Sequence, residues 1–310
     1  MSETRERRPA PVPSGPGGPG GPGVRRSPPE PPLRLTRRGF IVLGGLGLGT
    51  VAAGTYAITN GLSGVPGLPQ IPGLVEPTPP EVFADPVPVE RAQLQARTKL
   101  GPAAYVYEVT GRPATYYVDT AFGGRLDAWL ALHRQHTGQE PDTIRSYGAW
   151  VRGSSTSWHS SGQAFDVARL RADGKDLVSL RYDQWRDAPA TELRRRLAAY
   201  WRVAAGLHHE FADVLTYLYD SSHSNHIHVD TGRFGAERPR LIRRSRVQAQ
   251  AVQAMCLHVW GRTDVEITGE WDDATRAATT EILEQVDGPG ELEESREAWQ
   301  AFMVATMERA

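Results

Sequence analysis

Apolar residues recur at spacings of three and four in two stretches of this 310-residue chain. Leu126, Trp129, Leu130 and His133 predict an amphipathic helix over 124–136 that turns at Gly138, and Leu193, Leu197, Trp201 and Ala204 predict a second over 191–207. Between and after them the pattern changes. Residues 143–151 (TIRSYGAWV) and 163–170 carry the β-branched and aromatic residues of strands, with a loop over 152–161 between them, and 211–219 and 227–230 read as two more strands. The order helix, strand, strand, helix, strand, strand predicts an α+β domain over 100–240, built on a small antiparallel sheet flanked by helices. Beyond Arg246 the composition turns helical, with a loop at 287–290 and a last helix near 292–308, so 247–310 is expected as a helical appendage.

The first ninety residues are patterned differently. Residues 1–38 hold eight arginines against three glutamates, and 9–32 are largely Pro and Gly, too poor in apolar surface to fold, so a disordered arm is expected. No charged residue occurs over 39–75, and the apolar, glycine-rich run over 39–59 follows Arg34, Arg37 and Arg38. That run is expected to be an export signal or a membrane anchor. Residues 60–90 then read as a Pro-rich spacer. A formal net charge of -1 gives no sign of a nucleic-acid binder, and the single Cys256 excludes an intrachain disulfide and a cysteine-based zinc cage.

Candidate chemistry sits in two segments, 157–166 (SWHSSGQAFD) and 223–230 (HSNHIHVD). Residues two apart on a strand project to one face, so His226 and His228 are expected to look into one cleft. The Ser/Gly-rich turn after His159 can bring it back beside Asp166. Two imidazoles and a carboxylate leave one tetrahedral position open, which separates a catalytic Zn2+ from a closed structural one. These residues point to a metal-dependent hydrolase. His133, His136, His208, His209 and His258 are expected to be packed or surface histidines.

The pattern Ser-x-His-x-x-Gly-x-Ala-x-Asp followed by His-x-His resembles the signature of the zinc D-Ala-D-Ala peptidase superfamily. Within it, HSNHIHVD is similar to the His-His-Asp-His-Phe-His-Leu-Asp of the extensin-like C-terminal family, and the resemblance spans 105–234. It implies a small antiparallel sheet flanked by helices, one zinc, and cleavage of peptide bonds in bacterial cell-wall peptidoglycan. It also implies His159, Asp166 and His228 as ligands and His226 as the catalytic residue beside the metal. His223 matches a recurrent histidine of the penicillin-insensitive murein endopeptidases. Arg152 resembles the family arginine that binds a substrate carboxylate or the developing oxyanion, with Arg145 as a competing match. Asp230 is a candidate for orienting an imidazole from outside the ligand set. One departure stands out: Asn225 occupies a place where several members carry Asp or Glu, and an amide cannot act as a base. Either His226 takes that role or activity is weak.

Two further resemblances bear on location and binding. Thr36-Arg37-Arg38-Gly39-Phe40-Ile41 is similar to a twin-arginine signal, which implies export of a folded protein to an extracytoplasmic site, with a membrane tether if the segment is retained. Residues 252–278 partly resemble a peptidoglycan-binding repeat, and a plain helical appendage is the alternative. The expectation is an exported zinc peptidase of D,D-carboxypeptidase or endopeptidase type, acting on stem or cross-bridge peptides. Two other readings remain beside it: a zinc-containing wall-binding module without turnover, motivated by Asn225, and a hydrolase of a non-wall amide.

Overall fold

Between Gln95 and Val118 the chain makes five short strands: β1 (Gln95–Arg97), β2 (Lys99–Leu100), β3 (Ala103–Tyr107), β4 (Arg112–Pro113) and β5 (Tyr116–Val118). Helix α1 (Thr120–Thr137) follows, then β6 (Thr143–Gly148), β7 (Ala164–Ala172), β8 (Lys175–Ser179), a single turn α2 (Tyr182–Trp185) and the long α3 (Ala190–Glu210). β9 (Asp213–Leu215) and β10 (Ile227–Asp230) precede three helices, α4 (Arg246–His258), α5 (Asp273–Gln285) and α6 (Arg296–Glu308). The computed structural model describes residues 85–153, 157–232 and 237–309. The arm over 1–38, the apolar run over 39–59 and residues 60–84 of the spacer lie outside the described residues. Among the described residues no helix is long and apolar enough to cross a membrane.

The main sheet runs β2-β3-β6-β7-β10-β9, with β4 paired to β3 and β8 to β7, while β1 and β5 form a separate ribbon. The architecture is α+β, as the pattern predicts, and every pairing is antiparallel except β3 with β6. That parallel pair was not expected. It is possible because the connection from β3 to β6 includes α1, and parallel neighbours need such a long crossover.

Local chemistry explains where predicted and observed elements differ. The first helix starts earlier than 124 because Asp119 caps it, its carboxylate accepting from the Phe122 N–H at 3.0 Å, and it ends at Gly138 in the left-handed region. The strand predicted over 211–219 stops at Leu215, since the Tyr219 N–H bonds back to the Thr216 carbonyl at 2.9 Å and turns the chain. The three C-terminal helices share a continuous apolar core with α3 and the sheet. Trp299 on α6 donates to the His208 carbonyl at 3.0 Å, and Arg202 on α3 donates to the Met307 carbonyl at 2.9 Å.

Alternation along β7 and β10 divides core from site. Phe165, Val167, Ile227 and Val229 are fully buried and join Phe122, Leu126 and Trp129 of α1 and Trp201 and Leu207 of α3 in the core. The intervening Asp166 and His228 therefore project to the opposite face. Register places them directly across from one another, because β10 pairs with β7 through Ile227–Val167, His228–Asp166 and Val229–Phe165.

Candidate metal centre

His159 reaches this face from a separate element. A short 3-10 turn, Trp158–Ser161, ends at Gly162 with φ 72°, a conformation that glycine adopts at little cost. A Cβ there would lie 2.6 Å from Leu94 Cδ2 and 3.1 Å from the Asp119 nitrogen, so the turn is also closely packed. Its carbonyl accepts from the Asp119 N–H at 2.9 Å, tying the turn to the start of α1. His159 Nδ1 bonds the Ala149 carbonyl, which fixes the ring with Nε2 toward Asp166 and His228.

Three donor atoms converge. His159 Nε2 lies 3.2 Å from His228 Nδ1 and 3.3 Å from Asp166 Oδ1, and His228 Nδ1 lies 2.9 Å from Asp166 Oδ1. The edge of a tetrahedron with metal–ligand bonds of about 2.0–2.1 Å is about 3.3 Å, so the triangle has the size that such an ion requires. Among the described residues these three are the group of histidine and acidic side chains close enough to hold a metal ion. His228 Nε2 faces Asp230 Oδ2 at 3.0 Å, leaving Nδ1 as the inward donor. A ligand imidazole held by a carboxylate through its other nitrogen is the usual support around a metal. The other Asp230 oxygen is buried with no hydrogen-bond partner.

Electrostatics fit a cation at the centre of the triangle. Burial on its own would raise the Asp166 pKa, but hydrogen bonds from His159 and His228 outweigh it and hold the carboxyl far below its ordinary range. Burial would likewise lower the His228 pKa, yet the Asp166 and Asp230 carboxylates raise it to about 10. Without a metal, a proton shared in this cluster supplies the positive charge that the two carboxylates demand. A divalent ion must displace it.

The remaining predicted residues are placed unequally. His226 adjoins the triangle, its Nε2 3.4 Å from Asp166 Oδ1 and its Nδ1 2.5 Å from Asn225 Oδ1, and burial lowers its pKa to about 4, so the ring is neutral at pH 7. His223 stands one ring further out, with centroids 5.2 Å from His226 and 6.0 Å from His228. Its Nδ1 is held by Asp220 Oδ1 at 2.8 Å, a partner that sequence reasoning missed although it lies one helical turn earlier. Arg152 is exposed and paired at 3.1 Å with the equally exposed Glu90, and no described contact joins it to the histidines. Arg145, the competing match, is committed elsewhere: its Nε lies 2.7 Å from the buried Glu108, which also meets Arg169 at 3.0 Å and Arg181 at 2.9 Å. Tyr147, not singled out from sequence, sets its ring 5.7 Å from that of His226.

Residues 144–241 match the model of the family described as extensin-like protein C-terminus, a segment that contains every residue of this cluster. The likeness supports the extensin-like resemblance noted from the two motifs. No curated protein and no solved structure compared with the chain matches it.

Proposed function

We propose that this protein is a zinc-dependent hydrolase of peptide bonds in bacterial cell-wall peptidoglycan, of D,D-carboxypeptidase or endopeptidase type. The observation that carries the reading is the triangle of His159, Asp166 and His228, with edges of 2.9–3.3 Å, beside the neutral imidazole of His226. Zn2+ held there would polarise a scissile carbonyl and lower the pKa of its water from about 15.7 to about 7. His226, neutral and adjacent, is the chain's own acceptor for the proton of the attacking water, since the Asn225 amide cannot take it. The proton that His226 takes from the water is the one it would return to the leaving amine, and His223, its ring fixed through Asp220, stands beside His226 with centroids 5.2 Å apart.

Arg152 remains the candidate to bind a substrate carboxylate. Its pair with Glu90 is solvent-exposed, and such pairs contribute about 0–1 kcal/mol, so a substrate anion can replace Glu90 at little cost. Export by the twin-arginine route, with 39–59 as signal or anchor, belongs to the same proposal and rests on the residues around Arg37 and Arg38.

The test is incubation of the zinc-loaded protein with a defined cross-linked muropeptide, with products identified by mass spectrometry, alongside His226→Ala. Cleavage by the parent, and a loss of about 10²-fold or more in a variant that keeps its zinc, is the expected result. A second reading is favoured by Asn225: a zinc-containing wall-binding module. Retention on sacculi with no product from the parent would select it.

A further inference from the structure

We infer that Tyr147 and Asn225 are positioning residues that clamp the His226 ring, one setting its plane and the other its tautomer; the inference rests on the proposed role of His226. Three observations lead to it. The β6–β7 ladder loses register at this point: Ser146 pairs with Val167 and Gly148 with Asp166, so Tyr147 is an extra residue with no partner across the sheet. A bulge of this kind bends the strand and re-aims one side chain. Gly148 completes it at φ 119°, a backbone open mainly to glycine.

The re-aimed ring meets His226 edge to face, with centroids 5.7 Å apart and planes at 61°. It is backed in turn. The Arg181 guanidinium stands over it at 6.0 Å from the centroid, and that guanidinium is fixed by both oxygens of Asp183 at 2.9 and 2.7 Å and by Glu108 at 2.9 Å. From the other side Asn225 Oδ1 accepts the His226 Nδ1–H at 2.5 Å. Nε2 is then left with its lone pair, facing Asp166 Oδ1 at 3.4 Å. The amide that cannot be a base thus orients one.

The experiment uses the full chain, zinc-loaded and labelled with ¹⁵N-histidine, with nitrogen-proton correlation spectra reading the His226 tautomer and muropeptide turnover reading its consequence. Asn225→Leu should mix or invert the tautomer, and Asn225→Asp, which keeps an acceptor, should preserve it. Tyr147→Ala should lower kcat by up to about 10²-fold with KM, zinc content and Tm held, the scale for a misplaced reacting group, and Tyr147→Phe, which keeps the ring, should restore it. An unchanged tautomer in Asn225→Leu overturns the Asn225 half. Full kcat in Tyr147→Ala, where His226→Ala has lost it, overturns the Tyr147 half. If the parent shows no turnover or His226→Ala retains it, the catalytic reading fails; the tautomer spectrum of Asn225→Leu still decides the Asn225 half, and the His226 ring orientation in a crystal structure of Tyr147→Ala decides the Tyr147 half, an unmoved ring overturning it.

Discussion

Asp230→Asn keeps shape while removing the charge behind the proposed metal site. Asp230 Oδ2 accepts the His228 Nε2–H at 3.0 Å, and both side chains are nearly buried, so water cannot substitute for the bond. A hydrogen bond to a charged partner is worth about 1.5–3 kcal/mol, against about 0.5–1.5 for a neutral one. The difference, about 1–2 kcal/mol, corresponds to a weakening of zinc binding by about 5- to 30-fold. Loss of an outer carboxylate around a metal typically costs about 10- to 100-fold, which overlaps that range. An opposing effect has a definite sign. The Asp166 and Asp230 carboxylates together raise the His228 pKa to about 10, so at pH 7 zinc competes with a proton that the variant, with one of the two charges removed, holds less tightly. The loss should therefore be partly masked at pH 7 and larger at pH 9. Zinc affinity measured by chelator competition at both values checks this. Affinities within twofold of the parent at both pH values would refute the view that Asp230 supports the ligand set.

Three other outcomes are expected. Burial lowers the pKa of His208 to about 3 and of His133 to about 4, from 6.5, so the folded state binds fewer protons than the unfolded one below pH 6.5; stability is complete above that value and lost as pH falls toward 4, by about 1.4 kcal/mol per pH unit for each group. His208→Leu should remove one such contribution from the slope in urea unfolding measured across pH, and should not destabilise at pH 7, because both ring nitrogens lack partners. Gly162→Ala forces a left-handed backbone and a close contact with Leu94, which should cost about 1–2 kcal/mol or more in unfolding free energy and weaken zinc binding through His159, as read by thermal melting and elemental analysis. Glu108→Gln should destabilise by about 3 kcal/mol in denaturant titration, because Arg145, Arg169 and Arg181 lose the buried charge between them.

Much of the cluster was legible in the residues themselves. Period-two projection places alternate residues of one strand on one face, and the type and spacing of His159, Asp166, His226 and His228 mark them in the sequence as a candidate metal-binding set, three of which the fold brings within 3.3 Å of one another. Helical periodicity located α1 and α3 to within a few residues, with the errors at ends set by the cap at Asp119 and the last turn of α3 through Glu210. What sequence could not supply was anything that depends on which strands lie side by side. The pairing of His228 with Asp166 across β10 and β7, the Ala149 carbonyl behind His159 and the meeting of Tyr147, at its bulge, with His226 are all contacts made across separate elements or set by register, whereas the support of His228 by Asp230, two residues along one strand, was a candidate from the sequence. The fate of the two candidate arginines was also a matter of tertiary structure. Arg145 shares a sheet face with the buried Glu108, whereas Arg152 ends on the surface against Glu90, and a charge settles where the fold leaves it an opposite charge rather than where a motif would place it.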